Sequence, residues 1–182
     1  MSEFIAHVNG KLVPAGESCV SIDDRGFLRG DGIYETIRVR HGRCVRMDSH
    51  LRRLGEGIAL LRLPVDQIDY EGAIDQLLRA NGLSDARVRI TLTRGAGRDA
   101  TVVMTAEPLE EWHPQPTALA VSRYGRDPTS PLCRIKSTNC LASTLSSIEA
   151  AERGFDDALL LNTFGRAAEC TSANIFVVSG AS

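Results

Sequence analysis

The 182-residue chain carries 21 basic side chains, and only two of them, Lys11 and Lys136, are lysines; the other nineteen are arginines. A guanidinium keeps its proton, whereas an amine can lose one and attack a carbonyl carbon. Lys136 stands in the stretch CRIKSTNCLAS, after a proline-containing connection and before a predicted helix. Glu169 stands in GRAAECTSANIFVV, near the end of the chain. An amine and a carboxylate on neighbouring elements are what chemistry on a pyridoxal ring requires. The amine forms a Schiff base, and the carboxylate keeps the ring nitrogen protonated so that the ring can accept electrons. Spacing alone leaves two other readings open: a surface Lys–Glu ion pair, and an arginine-biased composition with two leftover lysines.

Other chemistries find less in the sequence. The five cysteines, at 19, 44, 133, 140 and 170, show no CxxC spacing, and the four histidines form no HExxH, so no metal site is expected. The formal net charge of −2 supplies no chain-wide basic field for nucleic acid. With 43% hydrophobic and 24% charged residues the composition is that of an ordinary globular protein. No apolar run approaches the roughly 20 residues a membrane-spanning helix needs. The opening MSEFIAHVNGKLV has no basic stretch leading into an apolar one, so a secretory signal is not expected. Free thiols then suit a reduced, cytoplasmic setting.

The elements that must position these residues can be read from period and punctuation. Asn9-Gly10 predicts a hairpin turn. Residues 18–22 read as a short strand, and 23–26 and 29–32 as turns. IYETIRVR, 33–40, alternates as a strand, and His41-Gly42 turns into a second hairpin. Ser49 is a candidate N-cap for a helix with Leu51, Leu54, Ile58 and Leu61 on one face, ended by Pro64. A second helix is predicted over 66–80, stopped by Asn81-Gly82. ARVRITLT, 86–93, and 101–106 read as paired strands joined by the loop 94–99. Pro108, Pro114 and Pro116 mark a linker. Then follow a strand over 117–122, a helix over 143–153, a strand over 158–162, a turn at Gly165 and a last strand over 174–178. The order predicts an α+β chain of two domains, 1–115 and 116–182.

Four segments, in order, resemble the class IV (fold-type IV) pyridoxal-phosphate aminotransferases, a family that includes branched-chain and D-amino-acid aminotransferases and aminodeoxychorismate lyase. They are DRGFLRGDGIYETIRVRHG (24–42), HLRRL (50–54), RIKSTNCLASTLSSIEAAERGFDDALLLN (134–162) and GRAAECTSANIFVV (165–178). The resemblance implies a small N-terminal α/β domain followed by the first part of a larger, barrel-like cofactor-binding domain. It implies pyridoxal 5'-phosphate as cofactor, with Lys136 as the Schiff-base lysine. Glu169 matches the carboxylate at the pyridine nitrogen, and Arg53, in the HxxRL pattern, the arginine at the cofactor phosphate, where a guanidinium fork suits a dianion. Tyr34, in GDGIYE, matches a substrate-pocket tyrosine of D-amino-acid-type members. Arg98 lies in the loop where those enzymes place an arginine for the substrate carboxylate. A solvated helix arginine, a half-buried strand tyrosine and a solvated loop arginine are the alternative readings of Arg53, Tyr34 and Arg98.

The chain departs from the family pattern in three places. The 94–99 loop is one residue shorter and lacks a following histidine. Cys140 stands where branched-chain members carry an aromatic. The chain also stops soon after Glu169, and in the family the following stretch completes the large domain and presents a helix N-terminus to the phosphate. A C-terminally truncated chain is therefore the expectation. The implied activity is amino-group transfer between an amino acid, branched-chain or D-, and a 2-oxo acid, in a homodimer with no nucleic-acid or membrane partner. Aminodeoxychorismate lyase activity, giving 4-aminobenzoate, and a catalytically inactive fragment are the alternatives.

Overall fold

A computed structural model describes residues 4–110 and 115–180. Among these, two compact units form: one takes residues up to 110 and adds Arg134–Asn139, the other takes 115–133 and 140–180. Pro114 of the predicted linker, with residues 111–113, lies outside the described residues, and Pro116 lies in irregular chain before Leu119. Pro108 closes a strand.

The first unit is built on a six-stranded sheet. β1 (Ile5–Val8) and β2 (Lys11–Pro14) make the hairpin predicted from Asn9-Gly10. β3 (Gly32–Arg40) and β4 (Arg43–Cys44) make the second. β5 (Ala86–Thr93) and β6 (Thr101–Pro108) pair along their full length. The spatial order is β2-β1-β6-β5-β3-β4, with antiparallel neighbours throughout. Alternation in β3 and β5 sends Ile33, Ile37, Val39, Val88, Ile90 and Leu92 to one face, where they are fully buried. Helices α2 (Met47–Leu61) and α3 (Tyr70–Asn81) belong to the same core, through Leu54 and through Ile74, Leu77 and Leu78. The opposite face of the sheet carries Tyr34, Thr36, Arg38, Arg87, Arg89 and Thr91. Such one-sided burial suits an antiparallel sheet.

Helix boundaries differ from the sequence pattern for local reasons. α2 starts at Met47, before Ser49, because Arg46 turns the chain in a left-handed conformation with φ 55°. α3 starts at Tyr70 rather than 66, where the Asp69 carboxylate accepts the Gly72 N–H at 2.9 Å. A short helix, α1 (Arg25–Arg29), replaces the predicted turn. Its cap, Asp24, is fully buried and also accepts from Thr93 and Thr101 of the sheet at 2.8 and 2.5 Å. Residues 18–22 form no strand.

The second unit holds β7 (Leu119–Val121), β8 (Asp157–Leu161) and β9 (Ala167–Cys170) in the order β7-β8-β9. β7 and β8 are parallel and are joined through α4 (Leu141–Glu152), as a parallel pair needs a crossover. β9 returns antiparallel. The sequence pattern does not foresee it, and the strand expected over 174–178 is absent. The Cys170 N–H donates to the Ala173 carbonyl at 3.0 Å, which turns the chain away from β8. Phe176, Val177 and Val178 are exposed, with no neighbouring strand among the described residues. Among those residues, no helix is long and apolar enough to cross a membrane.

Candidate active site

Lys136 is held by backbone geometry. The Tyr34 N–H donates to the Lys136 carbonyl at 2.8 Å, and the Thr138 N–H donates to the Gly32 carbonyl at 3.0 Å, so 136–138 lies antiparallel to the start of β3. The Thr138 hydroxyl donates to the Gly30 carbonyl at 3.0 Å. The approach requires glycine at 32: a Cβ there would fall 2.7 Å from the Leu92 carbonyl oxygen and 3.2 Å from Thr138 Oγ1. Lys136 Nζ then sits 4.6 Å from the centre of the Tyr34 ring. The guanidinium of Arg89 lies 3.8 Å from the same centre, within cation–π range. The structure thus brings Lys136 and Tyr34 together and adds Arg89, which the sequence reading missed. The strand register carried the signal. Tyr34 pairs with Thr91, so Arg89 is its diagonal neighbour on the same face.

Arg53 belongs to a second group in the same unit. It lies three residues after His50 on α2, on the same helix face, and both reach Glu35 of β3. Arg53 Nε and Nη2 donate to the two Glu35 carboxylate oxygens at 2.5 and 2.6 Å, and His50 Nδ1 lies 2.8 Å from Oε2. Glu35 is 1% exposed. Burial pushes its carboxyl up, but the Arg53 and His50 hydrogen bonds outweigh that and hold it below the usual carboxylate range. The same bond to Glu35 raises Arg53. Arg53 stays 46% exposed and, among the described residues, commits two of its five N–H donors, which leaves three for an anion. Glu35 and His50 were also missed, although Y-E-T on a strand and H-x-x-R on a helix are visible once the two elements are packed.

Glu169 lies in the second unit, on β9 opposite Leu160. Arg126 Nε donates to Glu169 Oε1 at 2.7 Å, and Arg126 Nη2 donates to the Ser143 hydroxyl at 2.9 Å. Arg126 is itself pinned to the end of β8: its N–H donates to the Leu161 carbonyl, and its carbonyl accepts from Thr163. One carboxylate oxygen is thus occupied, and the other has no hydrogen bond among the described residues. No sequence period marks Arg126, because its place follows from a parallel register.

Arg98 joins neither group. It is exposed in the 94–100 loop and makes no hydrogen bond, ion pair or ring contact among the described residues. The loop is anchored by Arg94 instead, which bonds Asp31 and the Leu61 and Arg62 carbonyls.

Comparison with known proteins gives these groups a context. The family described as "Amino-transferase class IV" matches residues 32–182. A Methanocaldococcus jannaschii protein, provisionally named branched-chain-amino-acid aminotransferase, is 33% identical over 94% of the chain and 64% of its own length. The D-alanine aminotransferase of Bacillus licheniformis is 29% identical over 93% of the chain and 63% of its own length. Among solved structures, a T.th. branched-chain amino acid aminotransferase with pyridoxamine 5'-phosphate superposes with a TM-score of 0.83 at 26% identity, over 94% of this chain and 63% of that one. The chain therefore spans just under two thirds of the length of these relatives.

Proposed function

The chain belongs to the class IV aminotransferase family, and from that premise we propose that it works in amino-group transfer between an amino acid, branched-chain or D-, and a 2-oxo acid. The cofactor proposed is pyridoxal 5'-phosphate. In this reading residues 1–115 are the small domain and 116–182 the first part of the cofactor-binding domain, and the enzyme works as a homodimer.

The donor set fits the cofactor. Lys136 supplies an amine, Glu169 a carboxylate on a half-exposed side chain, and Arg53 three N–H donors uncommitted among the described residues. When bound, the cofactor supplies an electron sink for the bond broken at the substrate α-carbon. Lys136 would hold the cofactor covalently and, once displaced by the substrate amine, carry a proton between the α-carbon and the carbon that bore the lysine. Glu169 would accept a hydrogen bond from the ring nitrogen through the oxygen that Arg126 leaves open. Arg53, braced by Glu35, would bind phosphate. Tyr34 would form one wall of the substrate pocket beside the Lys136 amine, and Arg98 remains a candidate for the substrate carboxylate.

The observation that carries this reading is the strand-like docking of 136–138 on β3, which sets the amine over Tyr34. The test is transfer from D-alanine or a branched-chain amino acid to 2-oxoglutarate, beside pyruvate release from aminodeoxychorismate. Transfer, lost in Lys136→Ala and strongly reduced in Glu169→Gln, supports the proposal. Pyruvate release alone replaces it with the lyase activity, and neither reaction in a folded, cofactor-loaded chain overturns both.

A further inference from the structure

We propose that Asp31 is a positioning residue: it ties the base of the 94–100 loop to the start of β3 that receives the Lys136 segment, so that the loop is a fixed wall of the substrate pocket and not a lid. This rests on the proposed chemistry at Lys136 and gives the loop its place in that site.

Three observations carry it. First, Gly30, Asp31 and Gly32 divide two tasks between them. The Gly30 carbonyl accepts from the Thr138 hydroxyl and the Gly32 carbonyl from the Thr138 N–H, both at 3.0 Å. Those two residues hold the Lys136 segment. Asp31, between them, holds the loop: its carbonyl accepts from the Arg94 N–H at 3.1 Å, and its Oδ2 accepts from Arg94 Nε at 2.7 Å. One residue's spacing therefore separates the grip on the lysine from the grip on the loop.

Second, the clamp is charged and mostly shielded from water. Asp31 Oδ2 also accepts from Arg25 Nε at 2.9 Å, and the Asp31 side chain is 14% exposed. Burial pushes its carboxyl up, but the bonds from Arg94 and Arg25 outweigh that and hold it below the usual carboxylate range. Arg94 spends its terminal nitrogens on the Arg62 and Leu61 carbonyls, at 3.0 and 2.5 Å. Those carbonyls end α2, the helix that carries Arg53. A guanidinium fork can make all three bonds at once, where an ammonium could not keep the same geometry.

Third, the rest of the loop base is closed. The Arg25 N–H donates to the Gly95 carbonyl at 3.0 Å, and the Ala100 N–H to the Pro64 carbonyl at 3.1 Å. Gly95 has φ 72°, and a Cβ there would run into the Asp99 carbonyl oxygen. The two ends of the loop thus touch. A lid needs a hinge that can turn, and here both ends are bonded to neighbouring elements.

The test is hydrogen exchange on the 182-residue chain without cofactor, read at the Arg94, Gly95 and Ala100 amides. Asp31→Ala, Asp31→Asn and Arg94→Lys are compared with Asp85→Ala, which removes another arginine-paired carboxylate of the same unit. Exchange at these amides should rise about tenfold or more in Asp31→Ala and Arg94→Lys, rise less in the near-isosteric Asp31→Asn and stay put in Asp85→Ala. The Val88 and Ile90 amides of β5 should not change in any of them. With cofactor added, KM for a 2-amino acid should rise in Asp31→Asn. Loop amides that already exchange freely in the parent chain, no rise in the Asp31 variants, an equal rise in Asp85→Ala, or a rise shared by Val88 and Ile90 would overturn the clamp. An unchanged KM in a variant whose loop amides have opened would overturn the loop's place as a pocket wall. Borohydride labelling of Lys136 is read separately: its failure in the parent chain counts against the proposed function, whereas the loop amides report on Asp31 alone.

Discussion

The two units hold their proposed site residues in different ways. The first has a continuous core of sixteen buried apolar residues, from Ile33 through Ala106. On it, Lys136 is placed by backbone hydrogen bonds. The second unit buries Ala120, Ala150 and Ala158 against Phe155. Its helix leaves Leu141, Leu145 and Ile148 exposed at i, i+4 and i+7, and Glu169 is oriented by side-chain bonds through Arg126 and Ser143. Geometry imposed by a packed backbone resists a single side-chain change, whereas geometry imposed by one ion pair does not.

The largest break in this contrast should come from the first core. Leu77→Ala should lower stability by about 2–5 kcal/mol, because Leu77 is fully buried and its loss leaves a cavity in the core against the buried face of the sheet, and the urea midpoint checks it. Hydrogen exchange would sharpen the comparison: amides of β5 and β6 should be protected to near the global limit, and those of β9 should exchange through local opening.

Next in size is the buried carboxylate. Arg53→Ala leaves Glu35 with His50 alone, and a cost of about 1–3 kcal/mol is expected for the under-satisfied group. Acid should expose the same dependence. Glu35 and Asp24 are both held below their ordinary values. For Asp24, burial pushes upward, but the Thr101, Thr93 and Gly26 bonds prevail. A carboxyl depressed in the folded state contributes stability above its unfolded pKa, about 4, and that contribution is lost as pH falls through the folded value. The first unit should therefore hold its stability from neutral pH to about pH 5 and lose it below pH 4, by circular dichroism. Glu35→Gln should flatten that loss.

The smallest effect on stability belongs to Arg126→Ala. A partly exposed pair is worth about 0–1 kcal/mol. Yet this change frees Glu169, so it should weaken cofactor binding while barely moving the melting temperature. An equal loss of both would mean that Arg126 is a packing residue and that the contrast between the units is wrong.

Much of this was legible in the residues. The alternation of 33–40, 86–93 and 101–106 carries the sheet, because one face is buried and the other is not. Lys136, Tyr34, Arg53 and Glu169 stood out by type and by resemblance. What escaped depended on partners distant in sequence. β9 is a short, largely exposed strand defined by its pairing with β8, whereas the apolar run 174–178 looks like a strand and has nothing to pair with among the described residues. α1 exists because Asp24 caps it while tied to Thr93 and Thr101. Arg89 and Arg126 become visible only when strand registers are known.

The most direct test of the account is to add pyridoxal 5'-phosphate to the 182-residue chain, reduce with borohydride and map the labelled peptide. The account predicts one label, on Lys136, absent in Lys136→Ala and retained in Lys11→Arg. Label on Lys11 or the amino terminus, or none on a folded chain, would contradict it.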